Sequence, residues 1–151
     1  MSNEIQTPQQ NIADLKAVPT TSANTGKKNI VFVVEDDDFL VKAYQIKLEK
    51  EGFEVWLATD GDEALATIAQ KPKPDVVLLD LMLPGASGFD ILAEIKKNEK
   101  WKEAPVLIMT NLGQPQDVDK GKELGAADYM IKANTKISDI VGKVRQYLPK
   151  A

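Results

Sequence analysis

The chain has 151 residues, 43% hydrophobic and 28% charged, a balance that suits one soluble domain with a true core. A formal net charge of -4 and a pI near 4.9 argue against a general nucleic-acid or anionic-membrane surface, which needs clustered basic residues. With no Cys and no His, disulfides, thiol nucleophiles, thiolate or imidazole metal ligands, serine-type triads and a phosphocarrier histidine are all excluded, so any chemistry must run on Asp, Glu, Ser, Thr, Lys or Tyr.

No run approaches the roughly 18 to 20 apolar residues of a membrane span, and no basic segment followed by an apolar one opens the chain, so a cytoplasmic protein is expected. Residues 1–28, rich in Gln, Asn, Thr, Ser and Pro, are too poor in apolar side chains to build a core and are expected to form a disordered tail. Within them NIADLKAV offers a helical turn or two against a partner, which is marginal alone.

From Asn29 onward, short apolar runs alternate with longer amphipathic segments. The runs IVFVV, FEVWLA, DVVLL, PVLIM and DYMI read as strands, and FLVKAYQIKLEKEG, GDEALATIAQK, SGFDILAEIKKNEK, QPQDVDKGKELGA and TKISDIVGKVRQYL read as helices. Ile137, Ile140, Val141, Val144 and Leu148 fall on one helical stripe, and Gly52 and Gly125 stand where helices should end. Five nearly all-apolar strands alternating with five helices predict an α/β fold: a doubly wound parallel sheet covered on both faces.

In such a sheet the residues following each strand share one edge, the edge where ligands bind. Glu35, Asp36, Asp37 and Asp38 follow the first strand, Asp80 the third, Thr110 the fourth and Lys132 the fifth. Carboxylates suit a hard cation such as magnesium, while Lys and Thr suit anionic phosphoryl oxygens, leaving Asp80 as a candidate nucleophile, metal ligand or both. Taken singly, these residues have ordinary readings: Asp37 and Asp38 favour a helix start, Thr110 a turn, and Lys132 a solvated charge. Four strand ends converging on complementary charge are not explained that way.

These motifs together resemble the receiver domain of bacterial two-component response regulators. The resemblance rests on the ED pair at Glu35 and Asp36, DLMLPGASG from Asp80 through Pro84 to Gly88, Thr110, and DYMIK ending in Lys132; it covers roughly Asn29 to Leu148, with the domain taken as 29–151. It implies a flavodoxin-like sheet in the order 2-1-3-4-5. It also implies a single-domain switch, not an enzyme acting on other substrates, in which Asp80 accepts a phosphoryl group from a phosphohistidine on a sensor kinase or histidine phosphotransfer protein. Magnesium would be held by Asp36, Asp80 and the Met82 carbonyl, with Glu35 acting through water. Lys132 would pair with the phosphoryl group, Thr110 would hydrogen-bond it, and Tyr129 would be the aromatic switch read by a downstream protein, as monomer or phosphorylation-dependent dimer. With nothing after Ala151, the output is expected in a partner rather than in direct DNA binding.

Two positions depart from the family pattern. Ala133 stands where a proline in a cis peptide is usual, and since a cis bond before a non-proline residue costs about 2.5–4 kcal/mol, a trans bond is expected. Asn111 follows Thr110, where a small residue is usual. The resemblance also sets Met82 and Leu112 over the approach of water to the phosphorus, and since neither can act as a base, a long-lived acyl phosphate is expected. A haloacid-dehalogenase-type phosphatase would need a second carboxylate where Met82 stands, and a flavodoxin would not place four acids in its phosphate loop. A receiver-like interaction scaffold that is never phosphorylated is the alternative.

Overall fold

All five runs pair as parallel strands, and the three central ones, nearly all apolar, are covered on both faces while the edge strands carry Glu54 and Asp128. A computed structural model describes residues 27–149, so NIADLKAV and nearly all of the expected tail lie outside the described residues. In chain order the elements are β1 (Ile30–Val34), α1 (Asp38–Lys50), β2 (Glu54–Ala58), α2 (Gly61–Gln70), β3 (Val76–Leu79), α3 (Gly88–Lys97), β4 (Val106–Thr110), α4 (Pro115–Glu123), β5 (Asp128–Ile131), a 3-10 turn (Lys132–Asn134) and α5 (Ile137–Tyr147). The sheet order is β2-β1-β3-β4-β5, the flavodoxin-like order 2-1-3-4-5.

Because strand side chains alternate, each central strand feeds two cores. Val31, Val33, Leu78, Leu107 and Met109 pack with Tyr44 and Leu48 of α1 and with Ile140, Val141 and Val144 of α5. Phe32, Val34, Val77, Leu79 and Ile108 face the other way, onto Ala64 and Ile68 of α2 and Ile91, Leu92 and Ile95 of α3. The stripe expected on α5 is therefore its buried face.

Helix ends follow local chemistry. Asp37, Asp60 and Ser87 cap α1, α2 and α3 by accepting from the N–H groups of Leu40, Glu63 and Asp90. Gly52 and Gly125, expected as helix stops, lie just past α1 and α4 with φ of 97° and 101°, a region that favours glycine. Two helices stop three residues short of the sequence reading: α4 ends at Glu123, just before the Gly125 turn, and α3 ends at Lys97, because the Asn98 side chain captures the N–H groups of Lys100 and Trp101. The chain then buries the Trp101 ring edge-on against Phe32, 5.6 Å between centroids. No peptide bond among the described residues is cis, so the bond before Ala133 is trans, as expected.

Candidate functional site

The register brings the acidic strand ends together. β1 pairs with β3 so that Val34 lies opposite Leu79, and the next residues are fixed by main-chain bonds: Asp80 N–H donates to Val34 O, and Glu35 N–H to Ala58 O, each at 3.0 Å. Glu35 and Asp80 are thereby held 2% and 5% exposed, while Asp36 stands exposed beside them. One carboxylate oxygen from each of Glu35, Asp36 and Asp80 can be chosen so that all lie within 4.8 Å of one another. Three converging hard oxygens fit magnesium, which takes few carboxylates and keeps waters.

Lys132 closes the cluster from the fifth strand. Its ammonium donates to Glu35 Oε1 at 2.5 Å and to Asp80 Oδ2 at 2.9 Å. Burial raises the Glu35 carboxyl above its ordinary range; the bonds from Lys132 and from the Asp37 N–H oppose this without cancelling it, and the Asp80 charge adds to it. Burial alone would lower Lys132, but its bonds to Glu35 and Asp80 carry it above the ordinary lysine range. The other Asp80 oxygen, Oδ1, accepts from the Met82 N–H at 3.2 Å, turning the chain after β3 back over the carboxylate. The Met82 side chain itself is 58% exposed.

The remaining expected residues lie along β4 and β5. Thr110 is the last residue of β4 and fully buried, and its Oγ1 accepts from the Leu112 N–H at 3.3 Å. Tyr129 donates its hydroxyl proton to the Leu112 carbonyl at 2.6 Å, so Thr110 and Tyr129 grip the same loop residue. Burial, and then the Asp117 charge, raises the Tyr129 phenol above its ordinary range.

One neighbour escaped the sequence reading. Tyr44, buried on α1, has its phenol pushed up to about 12, first by burial and then by the Glu35 charge, so its hydroxyl keeps its proton within the field of the acidic cluster. In sequence it is merely one apolar position in the α1 period.

A five-stranded 2-1-3-4-5 sheet with an acidic cluster and a lysine at its carboxyl edge defines a receiver-type fold and site. The family model described as the response regulator receiver domain matches residues 31–145, and the chain belongs to that family. It is 35% identical over 118 residues to the DNA-binding dual master transcriptional regulator RpaA of Synechocystis, a match covering 78% of this chain and 48% of that protein. The chain thus spans about half the length of this curated relative. Among solved structures it is similar to the BeF3-activated receiver domain of Klebsiella pneumoniae RstA, with 30% identity, a TM-score of 0.72, and 81% of this chain and 100% of that one covered. It is likewise similar to the Vibrio cholerae chemotaxis protein CheY4, with 25% identity, a TM-score of 0.74, and 81% and 100% covered.

Proposed function

We propose that this chain is a phosphorylation-driven switch in two-component signalling, with Asp80 as the acceptor. The observation that carries the reading is that a nearly buried carboxylate at the end of β3 is set between a lysine ammonium and two further carboxylates. Buried like charges of this kind are costly and call for a cation, and a cation beside an anionic nucleophile is what phosphoryl transfer requires.

In the transfer, an Asp80 oxygen attacks the phosphorus of a phosphohistidine. The new O–P bond forms as the P–N bond breaks, its electron pair passing to the imidazole nitrogen, which takes a proton from solvent. A magnesium ion held by Asp36, Asp80 and the Met82 carbonyl, with Glu35 acting through water, would neutralise charge on the phosphoryl oxygens. Lys132, already on Asp80 Oδ2, pairs with an incoming oxygen. Thr110 then gives its hydroxyl to the phosphoryl group, loosening its hold on Leu112, and Tyr129 feels the change because it bonds the same residue. The donor is a sensor kinase or histidine phosphotransfer protein, and the exposed Phe39 and Ile46 of α1, 79% and 66% accessible, offer an apolar face for docking. A downstream protein reads the altered surface.

The test is labelling with a small acyl-phosphate donor and magnesium, followed by intact mass. One added phosphoryl group is expected on the wild type and none on Asp80→Asn. Labelling that survives the substitution would put the acceptor elsewhere, and no labelling of the wild type would leave an interaction scaffold that is not phosphorylated.

A further inference from the structure

The loop between Asp80 and α3 carries Met82, yet part of what holds it comes from another helix. Gly61, the first residue of α2, donates its N–H to the Pro84 carbonyl at 2.9 Å. A Cβ on Gly61 would overlap the Ala86 nitrogen and lie 2.6 Å from Ala86 Cβ and 2.8 Å from Ala86 Cα. Since two of these atoms are main chain, any side chain at Gly61 must push the loop itself. Gly85, at φ 92°, turns the chain at the point of contact. The loop's far end is closed on itself: Gly88 N–H donates to Leu81 O at 2.9 Å, and a Cβ on Gly88 would meet the Asp80 carbonyl and stand 2.5 Å from Leu81 Cα.

We propose that Gly61, which lies outside the acidic cluster, is a positioning residue for the metal and phosphoryl site. By letting α2 seat directly on Pro84–Ala86, it fixes the height of the acceptor loop, and with it the Met82 carbonyl relative to Asp36 and Asp80. The inference rests on the magnesium reading above. Misplacing one oxygen ligand matters for magnesium because the ion demands near-ideal octahedral geometry.

The experiment is calorimetric titration of magnesium into wild type, Gly61→Ala and Gly142→Ala, each with its melting temperature. Gly142 is the control, because a Cβ there meets nothing within 4 Å. Gly61→Ala is expected to bind magnesium at least tenfold more weakly and to need correspondingly more magnesium for half-maximal labelling, with labelling recovered at saturation. Gly142→Ala should bind like wild type. Adding Ala86→Gly to Gly61→Ala removes the methyl-to-methyl clash and should restore part of the affinity. If Gly61→Ala folds too poorly to titrate, it is measured in the Gly142→Ala background, where the helix is strengthened. Wild-type affinity in a Gly61→Ala protein that merely melts lower overturns the inference and leaves the magnesium reading standing. Absence of magnesium binding by the wild type overturns both.

Discussion

The Lys132 ammonium lies 2.9 Å from Asp80 Oδ2, a contact made across 52 residues of sequence. The same nitrogen also binds Glu35, so one positive charge compensates two nearly buried negative ones. Removing it leaves both uncompensated. Lys132→Met is therefore expected to lose about 3 kcal/mol of stability in chelator, the size typical of breaking a buried pair from one side. With magnesium the loss should shrink, since the ion compensates the same carboxylates. Denaturant melts in chelator and in magnesium check this; an equal loss in both would show that Lys132 acts by packing alone.

Glu35 leads to a prediction of opposite sign. Its folded-state pKa is raised above 4.5, so its contribution to stability is present below that value and lost as pH rises through the folded pKa. Lys132, raised above 10.5, contributes stability that is present below 10.5 and lost only at higher pH. Near neutrality, then, Lys132 stabilises the metal-free fold while the Glu35 charge costs. Glu35→Gln keeps an oxygen for Lys132 and leaves a balanced Lys132–Asp80 pair. In chelator at pH 7 it should be more stable than wild type by on the order of 1 kcal/mol, with a flatter pH profile from pH 4.5 upward. Melts across that range decide it, and a variant less stable than wild type at pH 7 would overturn the argument.

The parallel sheet was legible because β1, β3 and β4 are unbroken apolar runs, a pattern that only coverage on both faces explains. The site was legible because strand ends in such a sheet share one edge, so Glu35, Asp36, Asp80 and Lys132 could be grouped without coordinates. What the sequence hid depends on contacts between distant segments. Tyr44 reads as a periodic helix position, and only folding sets it beside Glu35. The Asn98 side chain ends α3 locally, but the place that Trp101 then takes against the distant Phe32 is one that no local pattern declares. Lys132 was read as a partner for phosphoryl oxygens; that it spans Glu35 and Asp80 beforehand is a property of three loops meeting.

Magnesium should stabilise the native fold, because three carboxylate oxygens within 4.8 Å repel one another without it. At about ten times its Kd, the ion contributes roughly 1.4 kcal/mol, or several degrees in Tm. Thermal melts with and without millimolar magnesium should show this shift in wild type and a much smaller one in Asp36→Ala. An equal shift in both would place the ion elsewhere.

The Tyr129 hydroxyl bond to the Leu112 carbonyl, at 2.6 Å, ties β5 to the loop after β4. Tyr129→Phe deletes this bond and leaves a partly buried carbonyl without its donor, at a cost of about 1 kcal/mol. Amide exchange of residues 111–114 should accelerate, while magnesium affinity should stay at the wild-type value. Unchanged exchange there would show that Tyr129 does not hold the loop.

The lifetime of the phosphorylated state should be set by Met82 more than by Leu112. As the family resemblance implies, both positions stand over the route by which water reaches the phosphorus, and neither side chain can orient that water or take its proton. Their surroundings differ. Met82 is 58% exposed, whereas Leu112 is partly buried, packed against the core that α2 and α3 share with the sheet, and is tied by its own main chain to Thr110 and Tyr129. A polar side chain at 82 can therefore reach solvent and hold a water, while one at 112 must first leave its packing. A positioned group is worth roughly a hundredfold or more in rate, so its absence predicts decay over minutes or longer in wild type. Met82→Asn should shorten this at least tenfold, and Leu112→Glu should shorten it less while lowering Tm. Following loss of the added phosphoryl mass after removal of the donor measures all three rates. Wild-type decay within seconds, or a Met82→Asn rate equal to wild type, would mean that water reaches the acyl phosphate by a route these residues do not guard.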